Sequence, residues 1–135
     1  PFICDASLYR YDAGSRIFRR LSVITSGSTY DVTFRDIGTA PRDLNANWGY
    51  NELDGYFYSL RPGRGDLYRL DGSGTFTDVA NLPGSAADGS TAGDILPNGT
   101  MVYVEDGNSW QLVSLATPTA PLDLGTLELD RSVSA

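Results

Sequence analysis

The sequence predicts an all-β fold. Fifteen Gly and seven Pro are scattered through the 135 residues, so few windows long enough for a helix lack both. No stretch repeats apolar residues at the i, i+3, i+4, i+7 spacing of an amphipathic helix. Instead, short β-branched and aromatic runs alternate with clusters of Gly, Asp, Asn, Ser and Pro, a pattern typical of many short antiparallel strands.

These runs recur along the chain. The segment 49–60, GYNELDGYFYSL, aligns with 93–104, GDILPNGTMVYV, at an offset of 44 residues. The segment 67–76 aligns with 112–121 at an offset of 45, so one loop differs by a single residue. A further copy of the second half lies near the start, at 8–21. The alignment indicates one structural unit repeated along the chain.

Each full copy supplies four strands. In the clearest copy they are predicted at about 45–51, 55–61, 66–71 and 75–82. A period of about 40–45 residues that holds four strands is typical of a β-propeller blade. We therefore expect a single domain of propeller-type four-stranded blades, with a partial or irregular blade at 4–44 and complete blades at 45–82 and 88–128.

Two blades and a partial one do not close a propeller, which needs about four to eight. The chain is therefore expected to close with the remainder of a longer propeller or as a homo-oligomer, because open sheet edges and blade faces attract partners. Closure into a small sandwich is the alternative. The single cysteine, Cys4, is expected to be either a buried thiol or bonded to another chain or to a further part of the same polypeptide.

The repeat resembles that of secreted propeller-like domains in bacterial and fungal surface proteins. The similarity lies in YNELDGYFYSL, GDLYRLDGSGTFTDV and AGDILPNGTMVYV, which match phrases of the type YNPLDGYLYG, GNLYRID-x-DG and GD-x-DPDG. It covers roughly 45–115, with a weaker echo at 4–21, and departs at 22–44, where no blade boundary is predicted. The group has no settled activity, so the resemblance implies an architecture and a secreted or cell-surface location.

Composition and charge disfavour several functions. All ten basic residues are Arg, and seventeen acidic residues give a net charge of −7. Nucleic acids and anionic membranes bind Lys/Arg-rich surfaces, and no apolar run reaches the roughly 18 residues of a membrane span. The absence of His removes the commonest general base and metal ligand. We expect no cofactor, no metal, no nucleic acid and no membrane insertion.

Two motifs are interpreted as turns. The tripeptide Arg64-Gly65-Asp66 matches an adhesion signal read by cell-surface receptors, but it falls between the second and third strands of a blade, where tight turns need glycine. Asn98-Gly99-Thr100 fits the N-glycosylation pattern, and Asn-Gly is also a favoured hairpin turn. The turn is predicted at both places, and the glycan on Asn98 is a second, separate expectation.

Aromatic residues beside the strands are the candidate binding groups. Most should pack between blades, but one near a loop rim could stack on a sugar ring, and Trp48 and Trp110 are the first candidates. Connections between blades and between second and third strands share the face where propellers usually bind ligands. That face should gather the polar residues Arg42, Asn45, Asn47, Arg61, Arg64, Asp88, Ser90, Asp106 and Asn108, with Asn98 on the opposite face.

The leading hypothesis is an extracellular, non-catalytic binding or adhesion module for carbohydrate or protein of a surface or matrix, since no nucleophile–base pair is apparent. One alternative is a carboxylate-dependent polysaccharide hydrolase or lyase. Glycoside hydrolysis requires two carboxylates about 5 Å or 6.5–9.5 Å apart. The candidates are Asp88, Asp94, Glu105 and Asp106. The other alternative is a structural assembly unit.

Overall fold

The computed structural model describes residues 4–82, 94–105, 109–119 and 121–125. In these ranges the chain is all-β, with eleven strands in three antiparallel sheets, none of which closes on itself. The same ranges contain no helix that is long and apolar enough to span a membrane. The all-β prediction is confirmed.

Sheet 1 is a three-stranded meander in the order β1-β2-β3. Its strands are β1 (Cys4–Asp12), β2 (Ile17–Ser26) and β3 (Thr29–Thr39). Sheet 2 is a four-stranded meander of β4 (Gly49–Asn51), β5 (Tyr56–Leu60), β6 (Asp66–Leu70) and β7 (Phe76–Asn81). Sheet 3 contains β8 (Asp94–Ile95), β9 (Thr100–Glu105), β10 (Ser109–Ser114) and β11 (Leu122–Gly125).

The four strands of sheet 2 lie where the repeat predicts them, although the first begins at Gly49 rather than at 45. Sheet 1 differs from the prediction. The sequence alignment made 8–21 the third and last strands of a blade, but β3 adds a further strand beyond β2 and pairs with it over its whole length. The strands of sheet 1 are about twice as long as those of sheet 2 and carry few internal turn residues, which is why the segment 22–44 showed no blade boundary. The side chain of Cys4 lies outside the described part of the structure.

The three sheets stack face to face in chain order, as three layers rather than the two of a sandwich. One apolar core lies between sheets 1 and 2 and includes Phe18, Tyr68 and Leu70, all nearly fully buried. A second core lies between sheets 2 and 3 and includes Leu67 and Met101, each 0% exposed. Sheet 2 therefore buries both of its faces.

Alternation along β5 assigns its side chains to the two cores. Tyr56 and Tyr58 pack in the core with sheet 3, whereas Phe57, between them, packs in the core with sheet 1. This follows from the two-residue period of a strand, which points successive side chains to opposite faces. Tyr56 and Tyr58 are thereby separated from Phe57 by strand alternation alone.

The repeat offsets relate buried positions in successive sheets. Phe57 of sheet 2 corresponds to Met101 of sheet 3 at an offset of 44, and Leu70 corresponds to Leu115 at an offset of 45. Phe57 and Leu70 pack in the core between sheets 1 and 2, and Met101 and Leu115 pack in the core between sheets 2 and 3. The sequence repeat is therefore also a repeat of packing.

Both ends of the stack carry apolar side chains. On sheet 1, cross-strand pairing places Leu8, Leu21 and Phe34 on the face that points away from sheet 2, where Leu8 is 63% and Phe34 73% exposed. On sheet 3, Leu112 pairs with Leu122, which is 60% exposed. Each end of the stack therefore carries neighbouring apolar side chains that are exposed.

The predicted turns use glycine and short polar side chains. Gly99 adopts a φ of +81° between β8 and β9, where the backbone N–H of Thr100 donates to Asn98 Oδ1 at 3.1 Å. Between β6 and β7, Asp71 Oδ1 accepts the backbone N–H groups of Ser73 and Thr75. Both hairpins are confirmed, and their side-chain hydrogen bonds fix the register of the strands that follow.

Two glycines allow sheets 1 and 2 to approach backbone to backbone. A Cβ atom on Gly74, in the β6–β7 turn, would lie 2.1 Å from the carbonyl oxygen of Ile37 in β3. A Cβ atom on Gly38 would lie 2.6 Å from the carbonyl oxygen of Gly74. Gly74 also has a φ of +90°, a conformation that costs other residues energy. Side chains are excluded at this contact.

We expect Gly74→Ala to lower the free energy of unfolding by about 2 kcal/mol or more, because it adds left-handed strain to a clash with β3. Gly72→Ala is the matched control in the same turn, since a Cβ atom there would have nothing within 4 Å. Urea unfolding of both variants measures the difference. Equal stability of the two variants would contradict the close approach of the sheets.

Candidate functional site

A cleft of about 660 Å³ opens where β1, the connection preceding β4 and the start of β8 meet. We call it the Trp48 cleft. Its lining combines aromatic rings with two charged groups and an amide: Tyr9, Arg10, Tyr11, Phe18, Ala46, Asn47, Trp48, Phe57 and Asp94. Sheet 1, sheet 2 and the first strand of sheet 3 all contribute, so the stacking of the sheets creates the cleft.

Packed aromatic rings line the Trp48 cleft. The ring centroid of Trp48 lies 5.2 Å from those of both Tyr11 and Phe18, and Phe18 lies 4.9 Å from Phe57. The indole Nε1 of Trp48 is buried and has no hydrogen-bond partner among the described residues. Burial raises the pKa of Tyr11 above its ordinary value, so its hydroxyl is neutral at physiological pH. The lining thus offers apolar ring surface.

Two half-exposed tyrosines form an aromatic rim beside these rings. Tyr9 of β1 is 40% exposed and Tyr50 of β4 is 49% exposed. Their ring centroids lie 4.8 Å and 4.9 Å from that of Phe57, which sits between them. Tyr9 was not among the sequence candidates. It comes from sheet 1, whose register against sheet 2 cannot be read from a repeat that sheet 1 follows only weakly.

A second cavity, of about 250 Å³, adjoins the rim. We call it the arginine cleft. It shares Tyr9, Phe18 and Phe57 with the Trp48 cleft. Its other lining residues are Arg20, Arg35, Ile37, Tyr50, Gly55, Leu70, Asp71, Gly72 and Ser73. The two clefts therefore meet at the same aromatic residues, and the second one adds two guanidinium groups.

Asp71 is the carboxylate of the arginine cleft among the described residues. Its Oδ1 atom accepts hydrogen bonds from Ser73 Oγ at 2.7 Å, Ser73 N at 2.9 Å and Thr75 N at 3.0 Å. Hydrogen bonds from the Ser73 hydroxyl and the Thr75 backbone lower the pKa of Asp71. The carboxylate is ionised and holds its own turn. In the described part of the chain, acidic and cysteine side chains do not gather into a group that could hold a metal ion.

Some of the predicted site residues line the Trp48 cleft, and others do not. Asn47 and Trp48 line the Trp48 cleft. Asn45 lies behind it and is only 2% exposed. The Oδ1 atom of Asn45 accepts a hydrogen bond from Asn47 N at 2.9 Å, and its backbone N–H donates to Leu60 O at 2.8 Å. Asn45 therefore shapes the connection that presents Asn47 and Trp48.

Ser59 of β5 fixes the same connection from below. Its side chain is fully buried, and its Oγ atom lies 2.8 Å from the carbonyl oxygen of Asn47 and 3.1 Å from that of Asn45. A hydroxyl in that position is a donor shared between two carbonyl groups. Ser59 thus links the backbone beside Trp48 to the central sheet.

Arg61 and Arg64 lie in the β5–β6 turn and line neither cleft. Both approach the carboxylate of Asp66, at 3.5 Å and 4.0 Å, and Asn81 Nδ2 donates to it at 2.6 Å. The side chain of Asp66 is 17% exposed. Arg64-Gly65-Asp66 is a turn leading into β6, as predicted, and its carboxylate is engaged within the fold.

The remaining candidates lie elsewhere. Trp110 is in β10, where it pairs with Val104, and lines neither cleft. Asn98 is exposed in the β8–β9 turn, and its glycosylation stays a prediction. Asp88, Asp106 and Asn108 are outside the described residues, as is the side chain of Glu105.

We expect Ser59→Ala to lower the free energy of unfolding by about 1–3 kcal/mol, because two carbonyl groups lose a buried donor. It should also shift the emission of Trp48 to longer wavelength, measured in a Trp110→Phe background so that Trp48 alone reports. The exposed Ser114→Ala is the control. Unchanged emission and stability in Ser59→Ala would show that the connection is held by other contacts.

Comparison with known proteins concerns the chain as a whole. No curated protein matches the sequence. A family described as a repeat of unknown function, DUF6923, matches residues 12–132, which is most of the chain and includes strands of all three sheets. This agrees with the repeat seen in both sequence and packing. The chain belongs to the DUF6923 family of repeats.

Proposed function

We propose that this chain is a non-catalytic carbohydrate-binding module of a secreted or cell-surface protein. The observation that carries the proposal is the aromatic rim of Tyr9, Phe57 and Tyr50 beside the open Trp48 cleft. Ligand sites in proteins are concave and mostly apolar, with a few placed polar groups. The cleft has this composition, with Asn47 and Asp94 beside the rings.

Sugar rings suit this surface because one face of a pyranose carries C–H groups and its edge carries hydroxyls. Half-exposed tyrosine rings supply an apolar platform at little cost in conformational entropy, since the side chain has two rotatable bonds. Charged and amide side chains at the border can accept and donate hydrogen bonds to hydroxyls. Tyr9 and Tyr50 would form the platform, with Asn47 and Asp94 as polar partners.

The small number of carboxylates that line the clefts, among the described residues, favours binding without catalysis. Glycoside hydrolysis needs two facing carboxyl groups. Among the described residues that line the Trp48 cleft, Asp94 is the carboxylate, and Asp71 of the arginine cleft is committed to its turn. The hydrolase alternative would need a second carboxylate from outside the described residues, where Asp88 and Asp106 lie.

We further infer that the sheets are successive blades of a propeller-type fold. Three features support this: the sheets stack in chain order, the packing repeats at offsets of 44 and 45 residues, and the first strands of sheets 2 and 3, β4 and β8, lie in contact. Sheet 1, with three strands, would be an incomplete blade. The resemblance of the repeat to secreted surface proteins supports an extracellular location.

Oligosaccharide binding tests the proposed function directly. We expect neutral and acidic oligosaccharides on a glycan array to include binders, and the best of them to change the emission of Trp48 in a Trp110→Phe background. Tyr9→Ala and Tyr50→Ala should each weaken that binding about three- to tenfold, because each removes a stacking ring. Isothermal titration calorimetry measures the affinities.

The control for these variants is Tyr30→Ala. Tyr30 is 70% exposed in β3, on the face of sheet 1 that points away from sheet 2, and lines neither cleft. The Tyr30→Ala variant should bind the oligosaccharide as tightly as the unchanged chain. Thermal unfolding of all three variants checks that they fold. A chain that binds no oligosaccharide of either kind would refute the carbohydrate module.

The apolar end faces favour a second role, assembly with another copy of the chain. A hollow of about 360 Å³ on sheet 1 lies among Leu8, Leu21 and Phe34, close to the paired charges of Arg19 with Asp12 and Asp36. On sheet 3, Val102 and Leu112 occupy the positions that Tyr58 and Leu67 fill in sheet 2, where they are buried against the next sheet. We propose that sheet 3 of one copy packs on sheet 1 of the next.

Sedimentation across a range of concentrations tests the assembly. The unchanged chain should sediment as more than one copy of its 14.6 kDa mass, whereas Phe34→Asp should be a monomer because it places a charge in the contact. Thr33→Asp, on the opposite face of β3 by alternation, is the control and should still assemble. A strict monomer at every concentration would refute this role.

A further inference from the structure

We propose that the ligand is an acidic glycan, and that Arg20 and Arg35 form a subsite for an oxyanion carried by one of its sugar rings. The oxyanion would be the carboxylate of a uronate or a sulfate ester, which have the same requirement for guanidinium donors. This inference rests on the proposed function, because it names the class of carbohydrate that the same site takes. Its support comes from sheet register, cavity lining and charge.

Register places the two arginines side by side next to the aromatic rim. Arg20 of β2 pairs directly with Arg35 of β3, and on its other side with Tyr9 of β1. Directly opposed residues of antiparallel strands point to the same face. Tyr9, Arg20 and Arg35 therefore form one row across sheet 1, on the face turned toward sheet 2, and all three line the arginine cleft.

Two like charges directly opposite each other destabilise a sheet. Arg35 forms no ion pair with any acid in the described part of the chain. Asp71 is the acid of the lining, and its Oδ1 atom is already occupied by the turn. The lining thus places the guanidinium group of Arg35, which no described carboxylate pairs with, beside that of Arg20.

The spacing between neighbouring strands suits a sugar whose charged group is a substituent on the ring. Neighbouring strands lie about 4.8 Å apart, a distance comparable to the width of a pyranose ring. A ring stacked on the half-exposed Tyr9 would therefore project a substituent over Arg20 and Arg35. Guanidinium groups present planar arrays of donors that match carboxylate and sulfate oxygens.

The acidic surroundings favour a ligand with localised charges over a dense polyanion. Excess acids elsewhere on the chain repel a continuous phosphate backbone. A uronate or sulfated oligosaccharide instead brings one charge per ring or fewer, and only the charge above the arginine pair needs a partner. The subsite would therefore select acidic glycans without making the module a nucleic-acid binder.

Matched oligosaccharides test the subsite. Tetragalacturonate, its fully methyl-esterified neutral form and a sulfated chondroitin tetrasaccharide are titrated against the unchanged chain by calorimetry. We expect at least one acidic tetramer to bind about tenfold or more tightly than the neutral tetramer, and its affinity to fall as salt rises. The ratio between the two acidic tetramers tells whether carboxylate or sulfate is preferred.

Variants assign the effect to the arginine pair. Arg35→Gln should remove the preference for the acidic tetramer and leave the affinity for the neutral one unchanged. Arg35→Lys should retain part of the preference, because it keeps the charge and loses the paired donors. The control is Arg42→Gln, which removes the same charge from an exposed residue outside both clefts and should keep the preference.

The outcomes separate this inference from the function on which it rests. Equal binding of acidic and neutral tetramers, with Arg35→Gln unchanged, would overturn the acidic subsite and leave the carbohydrate module standing. Loss of preference in Arg42→Gln as well would show a general charge effect and would also overturn the subsite. Absence of binding to every tetramer and to the array would overturn both proposals.

Discussion

The burial of both faces of sheet 2 is the constraint on which the described structure depends. The four strands of sheet 2 are only three to six residues long, so one face alone would bury little apolar area. Sheet 2 instead places Phe57 and Leu70 against sheet 1, and Leu67 and Tyr58 against sheet 3. Each fully buried side chain of this size contributes roughly 1.5–3 kcal/mol. Sheets 1 and 3 are held in place because they cover these two faces.

Much of this arrangement could be predicted from the sequence, because sheets that pack in the same way repeat their apolar positions. The strands of sheet 2, its turns at Gly55 and Gly74, and the two-sided division of β5 all follow from local pattern. Strand β3 could not be placed in this way. Tyr30, Val32 and Phe34 lie on an end face, although Ile37 packs against the core with sheet 2. The length of β3 also departs from the repeat.

The site was only partly predictable, for a related reason. Trp48 and Asn47 lie in a connection whose role is fixed by topology, and both line the cleft. Tyr9 and Arg35 come from sheet 1, and both line the arginine cleft. They reach it because sheet 1 packs on sheet 2, which no local sequence pattern specifies. Residue type alone also does not separate polar residues that line a cleft from those that support the fold. Asn45 is buried and supports the connection, whereas Asn47 is exposed.

The backbone contact between Gly38 and Gly74 affects which parts of this fold can change in sequence. At that point main chain touches main chain, so the distance between sheets 1 and 2 is set there by the backbone and not by a side chain. Under the carbohydrate-binding role proposed above, substitutions along the neighbouring aromatic rim would change the preferred ligand, while the backbone contact keeps the two sheets at the same distance at this point. One backbone would then be able to carry rims of different chemistry.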